Sequence, residues 1–164
     1  MSKLDQLNEV QLSYIAGFLD GDGSIVNQIV RAKDRKFKHT IRVSVNYHQK
    51  TKRYWFMIKL KKMLGEGSLR KKNDGTSQLT ITGFKSVKRH LERLKPFLHL
   101  KKDLAGLTLN IIEDYEKVNT KASFLEVCKK IDKTANYTDG KKRVHTFASV
   151  NIFLDQAVET EKSN

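Results

Sequence analysis

The stretch that decides the fold runs from Tyr14 to Ser24 and reads YIAGFLDGDGS. Its first half is an apolar run with helical spacing, and its second half sets two acids, Asp20 and Asp22, among glycines. Directly after it the hydrophobic period changes from 3.6 to two, which predicts a helix that ends where a strand begins.

The predicted helix covers residues 8–22. Asn8 is placed to cap its start, and Gln11, three residues later, completes a capping box. One face is apolar and is expected to point into the core of its own subunit: Leu12, Ile15, Ala16 and Leu19. A second stripe holds small residues four apart: Ser13, Gly17 and Gly21.

The small stripe requires an explanation, because glycine inside a helix costs roughly 0.5–1 kcal/mol relative to alanine. One explanation is close packing of the helix on the chain's own sheet. The other is close approach of a second helix. The chain holds only one copy of this segment, so that helix would come from a second subunit related by a two-fold axis.

Charge indicates a polyanionic partner. The chain of 164 residues has 32 Lys and Arg against 18 Asp and Glu, a formal net charge of +14. From Arg31 to Lys72 there are fifteen basic residues and two acids, whereas the rest is nearly balanced. A basic excess confined to one region favours a nucleic-acid surface over general solubilisation.

Several classes of protein are disfavoured. The single cysteine, Cys128, excludes a disulfide framework and a cysteine zinc site. No apolar run is long enough to span a membrane, so no membrane partner is expected. Residues 1–9 are polar and lack a secretory or transit pattern, which favours a protein that acts where it is made.

The remaining pattern predicts an α+β domain. Four strands are expected at 24–31, 38–48, 68–72 and 77–82, the last two joined by the turn Asn73-Asp74-Gly75. Helices are expected at 51–64, 85–94, 102–117, 123–136 and 147–158. In the second helix, Trp55, Phe56, Leu60, Met63 and Leu64 are predicted to point inward, and Ser123 with Glu126 is predicted to cap the helix at 123. A four-stranded antiparallel sheet with helices on one face follows.

No repeat or linker is visible, which predicts a single domain over residues 1–164 with a disordered tail at 159–164.

The acidic end of the first helix is not a calcium loop. An EF-hand that starts at Asp20 needs glycine at its sixth position and glutamate at its twelfth, where the chain has Ile25 and Arg31. It is not a P-loop or a dinucleotide fingerprint either, since both require a strand before the glycines.

Residues 15–23 resemble the LAGLIDADG motif of homing endonucleases. The resemblance covers nearly the whole chain and is closest to the single-motif, homodimeric subgroup encoded by group I introns, of the kind found in algal chloroplasts. Four further blocks are similar to that subgroup: Phe37–His39, Gln49–Thr51, Arg53–Phe56 and Pro96–Lys101. The resemblance implies an αββαββα core with a saddle-shaped sheet and extra C-terminal helices.

The resemblance also implies a catalytic site. Asp22 would be the metal ligand, with the Gly21 carbonyl beside it, and two Asp22 carboxylates would meet in a homodimer around Mg²⁺ (Mn²⁺ or Ca²⁺ could occupy the same site). Gln49, Arg53 and Lys101 would hold the nucleophilic water and stabilise transition-state charge. From the residues alone, Gln49 could instead cap a strand end, and Arg53 and Lys101 could anchor phosphates. Asp20 is expected to be structural.

The polar face of the predicted sheet is expected to contact double-stranded DNA, and two subunits would cover roughly twenty base pairs. The residues assigned to DNA contact, by bases or by phosphates, are Val26, Gln28, Val30, Arg35, Thr40, Arg42, Ser44, Asn46, His48, Lys50, Arg70, Lys72, Gln78, Thr80, Lys141 and Lys142. Arg suits guanine, and Asn and Gln suit adenine. Val26 and Val30 suit thymine methyl groups or water-mediated contact.

The expected function is therefore that of a homing endonuclease that cleaves a long pseudopalindromic site by Mg²⁺-dependent hydrolysis and promotes intron homing. An RNA-binding intron maturase, or an inactive DNA-binding protein of the same fold, is the alternative. A chloroplast or mitochondrial origin is expected, since the gene would lie within an organellar intron.

Overall fold

The computed structural model describes residues 1–140 and 142–163. Within them there are six α-helices: α1 (Glu9–Asp22), α2 (Tyr54–Leu64), α3 (Phe84–Leu94), α4 (Lys102–Glu116), α5 (Lys121–Lys133) and α6 (Phe147–Lys162). Four strands complete the fold: β1 (Gly23–Arg31), β2 (His39–Lys50), β3 (Ser68–Lys71) and β4 (Thr76–Thr82). The strands form one antiparallel sheet in the order β1-β2-β4-β3. The predicted α+β fold with a four-stranded antiparallel sheet is confirmed.

The chain forms two compact units. The first contains residues 1–26 and 43–109, and the second contains residues 27–42 together with the described part of 110–164. β1, β2 and α4 each contribute residues to both units. The single domain over residues 1–164 stays a prediction.

The core of the first unit forms where α1 packs beneath the sheet. Asn8 caps α1 with Gln11 as its capping-box partner, as predicted. The predicted inward face is buried, with Leu12, Ile15, Ala16 and Leu19 at most 2% exposed. Phe18 of α1 stacks on the buried Tyr47 ring of β2, with 5.8 Å between ring centroids. Helix and sheet are thus joined within a few residues of the acidic end of α1.

α2 buries most of the face predicted for it: Leu60 and Leu64 are buried, and Phe56 and Met63 are partly buried. Met57, Leu60 and Leu64 are its buried residues, whereas Trp55 is 66% exposed. The prediction that Trp55 points inward is wrong, because the buried residues recur at helical spacing and position 55 lies off that stripe. Large apolar side chains are common at protein surfaces, so hydrophobicity alone does not place a residue inside.

The start of α5 also differs from the prediction. Thr120 is the N-cap: its Oγ1 accepts from the Ser123 backbone, and the Ser123 Oγ accepts from the Thr120 backbone, both at 3.1 Å. The predicted cap by Ser123 and Glu126 is wrong, since Ser123 lies inside the first turn. The buried Cys128 of α5 is a core residue, and burial raises its pKa to about 12.

The last helix is longer than predicted. α6 continues through Lys162, so residues 159–162 are helical rather than part of a tail that begins after Val158. No glycine or proline interrupts this segment, and the Thr160 hydroxyl donates to the Gln156 carbonyl at 3.0 Å.

Across residues 1–140 and 142–163, no helix combines the length and apolar character that a membrane span requires.

Candidate active site and nucleic-acid interface

Helix α1 ends at Asp22 because the chain turns directly into β1 at Gly23. A Cβ atom at position 23 would lie 2.6 Å from Leu19 Cδ1 and 2.9 Å from the Asn46 carbonyl oxygen. Only glycine lets the backbone pass this close to β2. The junction fixes Asp22 at the open end of the helix, where it is exposed.

The other acid, Asp20, is bound to the turn before α4. Its carboxylate accepts hydrogen bonds from the backbone N–H groups of His99, Leu100 and Lys101, at 2.8, 3.2 and 3.0 Å. Bonds from N–H groups to a carboxylate are among the stronger ones in proteins. Asp20 therefore has the structural role predicted for it, and the cluster of four residues is called the Asp20 clamp below.

Lys101 lies at the same helix end. Its ammonium group donates to the Asp20 carbonyl oxygen at 2.6 Å, and the side chain is partly buried. A cation at this position interacts favourably with the negative end of the helix dipole. The structure thus brings Lys101 to the turn that carries Asp22.

Gln49 and Arg53 form a second pair at the end of β2. Arg53 Nη1 donates to Gln49 Oε1 at 2.8 Å, and the Lys50 backbone N–H donates to the same oxygen at 3.0 Å. Gln49 therefore closes the end of its strand, as the alternative interpretation expected, and it also orients the Arg53 guanidinium.

The charge of the Asp22 carboxylate acts on the pKa of His48, near the end of β2. Burial lowers its pKa first, and the charge of Lys72 lowers it further, whereas the Asp22 and Asp74 carboxylates act in the opposite direction. Asp22 therefore lies close enough to the end of β2 for its charge to be felt one residue before Gln49.

The donor atoms at the end of α1 fit a hard divalent cation. The Asp22 carboxylate and the Gly21 carbonyl are oxygen ligands, and the last carbonyls of a helix have no partner within it. Both residues are exposed, which leaves room for water and phosphate oxygens. Within residues 1–140 and 142–163, no group of three or more His, Cys, Asp or Glu side chains could hold a metal ion. One chain thus offers only part of a coordination shell.

The small stripe of α1 lies open on the surface. Ser13, Gly17 and Gly21 are exposed, and a Cβ atom at either glycine would meet nothing within 4 Å. Packing on the chain's own sheet, the first explanation for the glycines, is therefore wrong. Large apolar side chains are also exposed on α1 and on α2. On α1, Val10 is 79% and Tyr14 58% exposed, and on α2, Trp55 is 66% exposed.

The outer face of the sheet in the first unit is polar, as predicted. Asn46 Nδ2 donates to Ser44 Oγ at 3.2 Å and to Ser24 Oγ at 3.4 Å. Gln78 Nε2 donates to Asn46 Oδ1 at 2.8 Å and to Thr80 Oγ1 at 3.1 Å. These five side chains are called the sheet-face network below. Other residues assigned to DNA contact in this unit are exposed or partly exposed: Val26, His48, Lys50, Arg70 and Lys72.

The network changes the expected role of its buried members. Ser44 and Asn46 were predicted to reach DNA bases, but they are only 9% and 5% exposed. Asn46 is hydrogen-bonded to Ser44, Ser24 and Gln78 within the chain. The part of Ser44 and Asn46 in DNA contact therefore stays a prediction.

In the second unit, the assigned residues differ in exposure. Gln28, Arg35, Arg42 and Lys142 are exposed, and Val30 is partly exposed. The Thr40 hydroxyl pairs with the Tyr115 hydroxyl at 2.8 Å, which commits it within the unit. Lys141 lies outside the described residues.

Sequence reasoning missed three contributors. The backbone N–H groups of His99 and Leu100 and the hydroxyl of Ser24 carry no chemical signal that marks them. Their roles arise from contacts with Asp20 and Asn46, which lie far away in the chain.

Known proteins are similar to this chain in sequence and in fold. Residues 15–105 match the family described as LAGLIDADG endonuclease. The chain is 39% identical to DNA endonuclease I-CreI of Chlamydomonas reinhardtii over 158 residues, which are 96% of each chain. It is 38% identical to DNA endonuclease I-CvuI of Chlorella vulgaris over 136 residues, covering 83% of this chain and 84% of the relative. Both relatives come from algae.

A solved structure agrees. The crystal structure of the homing endonuclease I-CvuI, in complex with its target and in the presence of calcium, superposes with a TM-score of 0.84 at 35% identity. The alignment covers 90% of this chain and 94% of that one. The polar face of the antiparallel sheet and the exposed Asp22 carboxylate at the end of α1 suit an enzyme that cleaves nucleic acid, the class to which these relatives belong. The chain belongs to the LAGLIDADG endonuclease family.

Proposed function

We propose that the protein is a homing endonuclease that works as a homodimer and cleaves both strands of a long pseudopalindromic DNA site by Mg²⁺-dependent hydrolysis. The observation that carries the proposal is the exposed Asp22 carboxylate at the open end of α1, beside an open glycine stripe. The identity with two DNA endonucleases over most of the chain supports it.

The homodimer is proposed from the surface of α1 and α2. Open space above Gly17 and Gly21 lets another backbone approach, and the exposed Val10, Tyr14 and Trp55 supply apolar area around it. A two-fold axis through the stripe would bring the two copies of Asp22 together. Ser13, Gly17 and Gly21 are the proposed interface residues on α1.

In this mechanism Asp22 and the Gly21 carbonyl would hold the cation, which when bound would supply Lewis-acid stabilisation of the phosphate and its leaving oxygen. Mg²⁺ is proposed because it takes one or two carboxylates and keeps its waters. Lys101 would place positive charge near the scissile phosphate. Gln49 would orient Arg53, and the pair would hold the attacking water and stabilise transition-state charge.

DNA contact is proposed through the outer sheet face of the first unit and the exposed basic residues of both units. Lys50 and Lys142 suit phosphates, and Gln28 and Arg42 suit base edges.

Intron homing and an organellar origin are proposed from the likeness to the two algal endonucleases. We propose that residues 1–164 act as one domain in this reaction, since β1, β2 and α4 each contribute to both units.

The experiment is a selection of cleaved duplexes from a randomised DNA library, incubated with purified protein in Mg²⁺. We expect one preferred, nearly symmetric site cut on both strands. Asp22→Asn should bind the selected site with unchanged affinity but cut it roughly a hundredfold to a thousandfold more slowly.

The matched control is Asp139→Asn, which changes an exposed acid in a loop and should cut normally. Normal cleavage by Asp22→Asn would remove Asp22 from the mechanism. A protein that cuts no library member but binds intron RNA would favour the maturase.

A further inference from the structure

The sheet-face network fixes the orientation of one side-chain amide. Gln78 Nε2 has two N–H groups, and both have acceptors within the chain, Asn46 Oδ1 at 2.8 Å and Thr80 Oγ1 at 3.1 Å. Asn46 is held in turn by donation from its own amide nitrogen to Ser24 and Ser44. The amide nitrogen of Gln78 is therefore saturated.

Gln78 is left with its oxygen as the group that can bind a ligand. The side chain is partly exposed on the polar face of β4, the face opposite the buried Leu79 and Ile81. A free glutamine binds adenine through both its N–H and its oxygen, which pair with N7 and N6 of the base. Gln78 in this network can only accept a hydrogen bond, so it has the recognition chemistry of a carboxylate.

The neighbour of Gln78 supplies the complementary chemistry. In the pairing of β3 with β4, Arg70 lies directly opposite Gln78. Directly opposite residues on one sheet face have Cβ atoms about 5 Å apart. Arg70 is exposed and its guanidinium has only donors. Donors and an acceptor therefore stand side by side on the sheet surface.

We propose that Arg70 and Gln78 together recognise a G·C base pair, with Arg70 donating to guanine O6 and N7 and Gln78 accepting from cytosine N4. In the major groove, only a G·C pair offers two acceptors on one base beside an amino donor on the other. This assignment rests on the proposed DNA-binding function and names the base pair that one part of the interface selects.

The test compares base preferences in duplexes recovered by binding from a randomised library. We call the Gln78 position the base pair of the selected DNA site at which Gln78→Ala changes the base preference. The wild-type protein should select G·C there, and Gln78→Ala should reduce that discrimination by roughly fivefold to tenfold. Gln78→Glu, which keeps the acceptor, should keep the G·C preference.

A second variant tests the network itself. Thr80→Val removes one acceptor of the Gln78 amide and frees an N–H group, so A·T pairs should become enriched at the Gln78 position. The control is Thr82→Val, which changes an exposed threonine two residues along the same face of β4 and should leave the preference unchanged.

The outcomes separate this inference from the proposed function. A wild-type preference for A·T at the Gln78 position, or an unchanged preference in Thr80→Val, would overturn the acceptor assignment although DNA binding stands. Binding without any base preference would overturn both. Selective binding of G·C sites by a protein that cuts none would support the assignment and contradict the nuclease.

Discussion

Asp20 and Asp22 are two residues apart, but they do different work. The Asp20 carboxylate accepts three backbone N–H groups from the turn before α4, whereas the Asp22 carboxylate stands exposed at the helix end. Two like charges in one short segment can therefore have separate roles, because the backbone turns between them and gives each a different neighbour.

At this scale we expect Asp20→Ala to lower the free energy of unfolding by about 1.5–3 kcal/mol, since three backbone N–H groups, of which that of Lys101 is partly buried, would lose a charged acceptor. Asp20→Asn should lose less, because its amide oxygen can still accept. Urea unfolding measures both values. Glu92→Ala, which removes an exposed acid from α3, is the control, and equal losses in Asp20→Ala and Glu92→Ala would contradict the clamp.

At the scale of elements, α1 has two faces with opposite requirements. One face is buried in its own unit, and the other carries the open stripe of Ser13, Gly17 and Gly21. The buried face stabilises the single chain, whereas the open face does not contribute to the packing of that chain.

We expect Gly17→Leu to leave the single chain folded and its stability unchanged or slightly higher, because glycine is a poor helix former and the space above it is open. Dimerisation should weaken by at least about tenfold, because the longer side chain separates the helices. Sedimentation and circular dichroism report the two effects. Ala122→Leu, on the exposed side of α5, is the control; an unchanged dimer in Gly17→Leu would contradict the interface.

The contact of α3 with the sheet predicts a pH dependence. His90 of α3 is fully buried, and its Nε2 lies 2.6 Å from the Tyr47 hydroxyl. Burial lowers its pKa from 6.5 to about 3. Above pH 6.5 neither folded nor unfolded chain protonates it, so stability is at its full value; as the pH falls from 6.5 towards 3, only the unfolded chain binds the proton and stability is lost.

Through His90 alone, the free energy of unfolding is expected to fall by up to about 1.4 kcal/mol per pH unit. His90→Gln cannot titrate, so its stability should fall less steeply between pH 6 and 4.5, a window given by the cited shift. Some slope should remain, because the pKa values of His39 and His48 are lowered too. Urea unfolding at each pH measures the free energy of unfolding. An equal pH dependence of that free energy in the wild-type protein and in His90→Gln would contradict the assignment.

Local pattern predicted the elements well but not the contacts between them. The cap of α1 and its buried face could be predicted because both depend on residues within two turns of helix. Trp55 was misplaced because an apolar residue can lie off the buried stripe. The sheet-face network and the Asp20 clamp could not be foreseen, since each depends on groups that lie dozens of residues apart in the chain.

At the scale of the whole molecule, charge decides how the protein meets DNA. The net charge of +14 and the basic excess between Arg31 and Lys72 favour association with any phosphate backbone. Specificity must then come from the few residues that reach base edges, because phosphate contacts do not distinguish sequences.

We expect the logarithm of the DNA-binding constant to fall linearly with the logarithm of salt concentration. For about six to ten phosphate contacts, affinity should drop by roughly 10³–10⁵ between about 50 and 200 mM salt. Lys50→Gln should make the slope shallower by about one. Lys162→Gln, at the exposed end of α6, is the control, and a flat salt dependence of the wild-type protein would contradict phosphate contact.

The junction at Gly23 has a consequence for how such a protein can evolve. The close contact there reaches Asn46 through its backbone carbonyl, which every amino acid retains. The Asp20 clamp likewise uses backbone N–H groups of its partners. Strand side chains other than Gln49 can therefore change, and with them the DNA sequence that is bound, while the backbone contacts that fix Asp20 and Asp22 are kept.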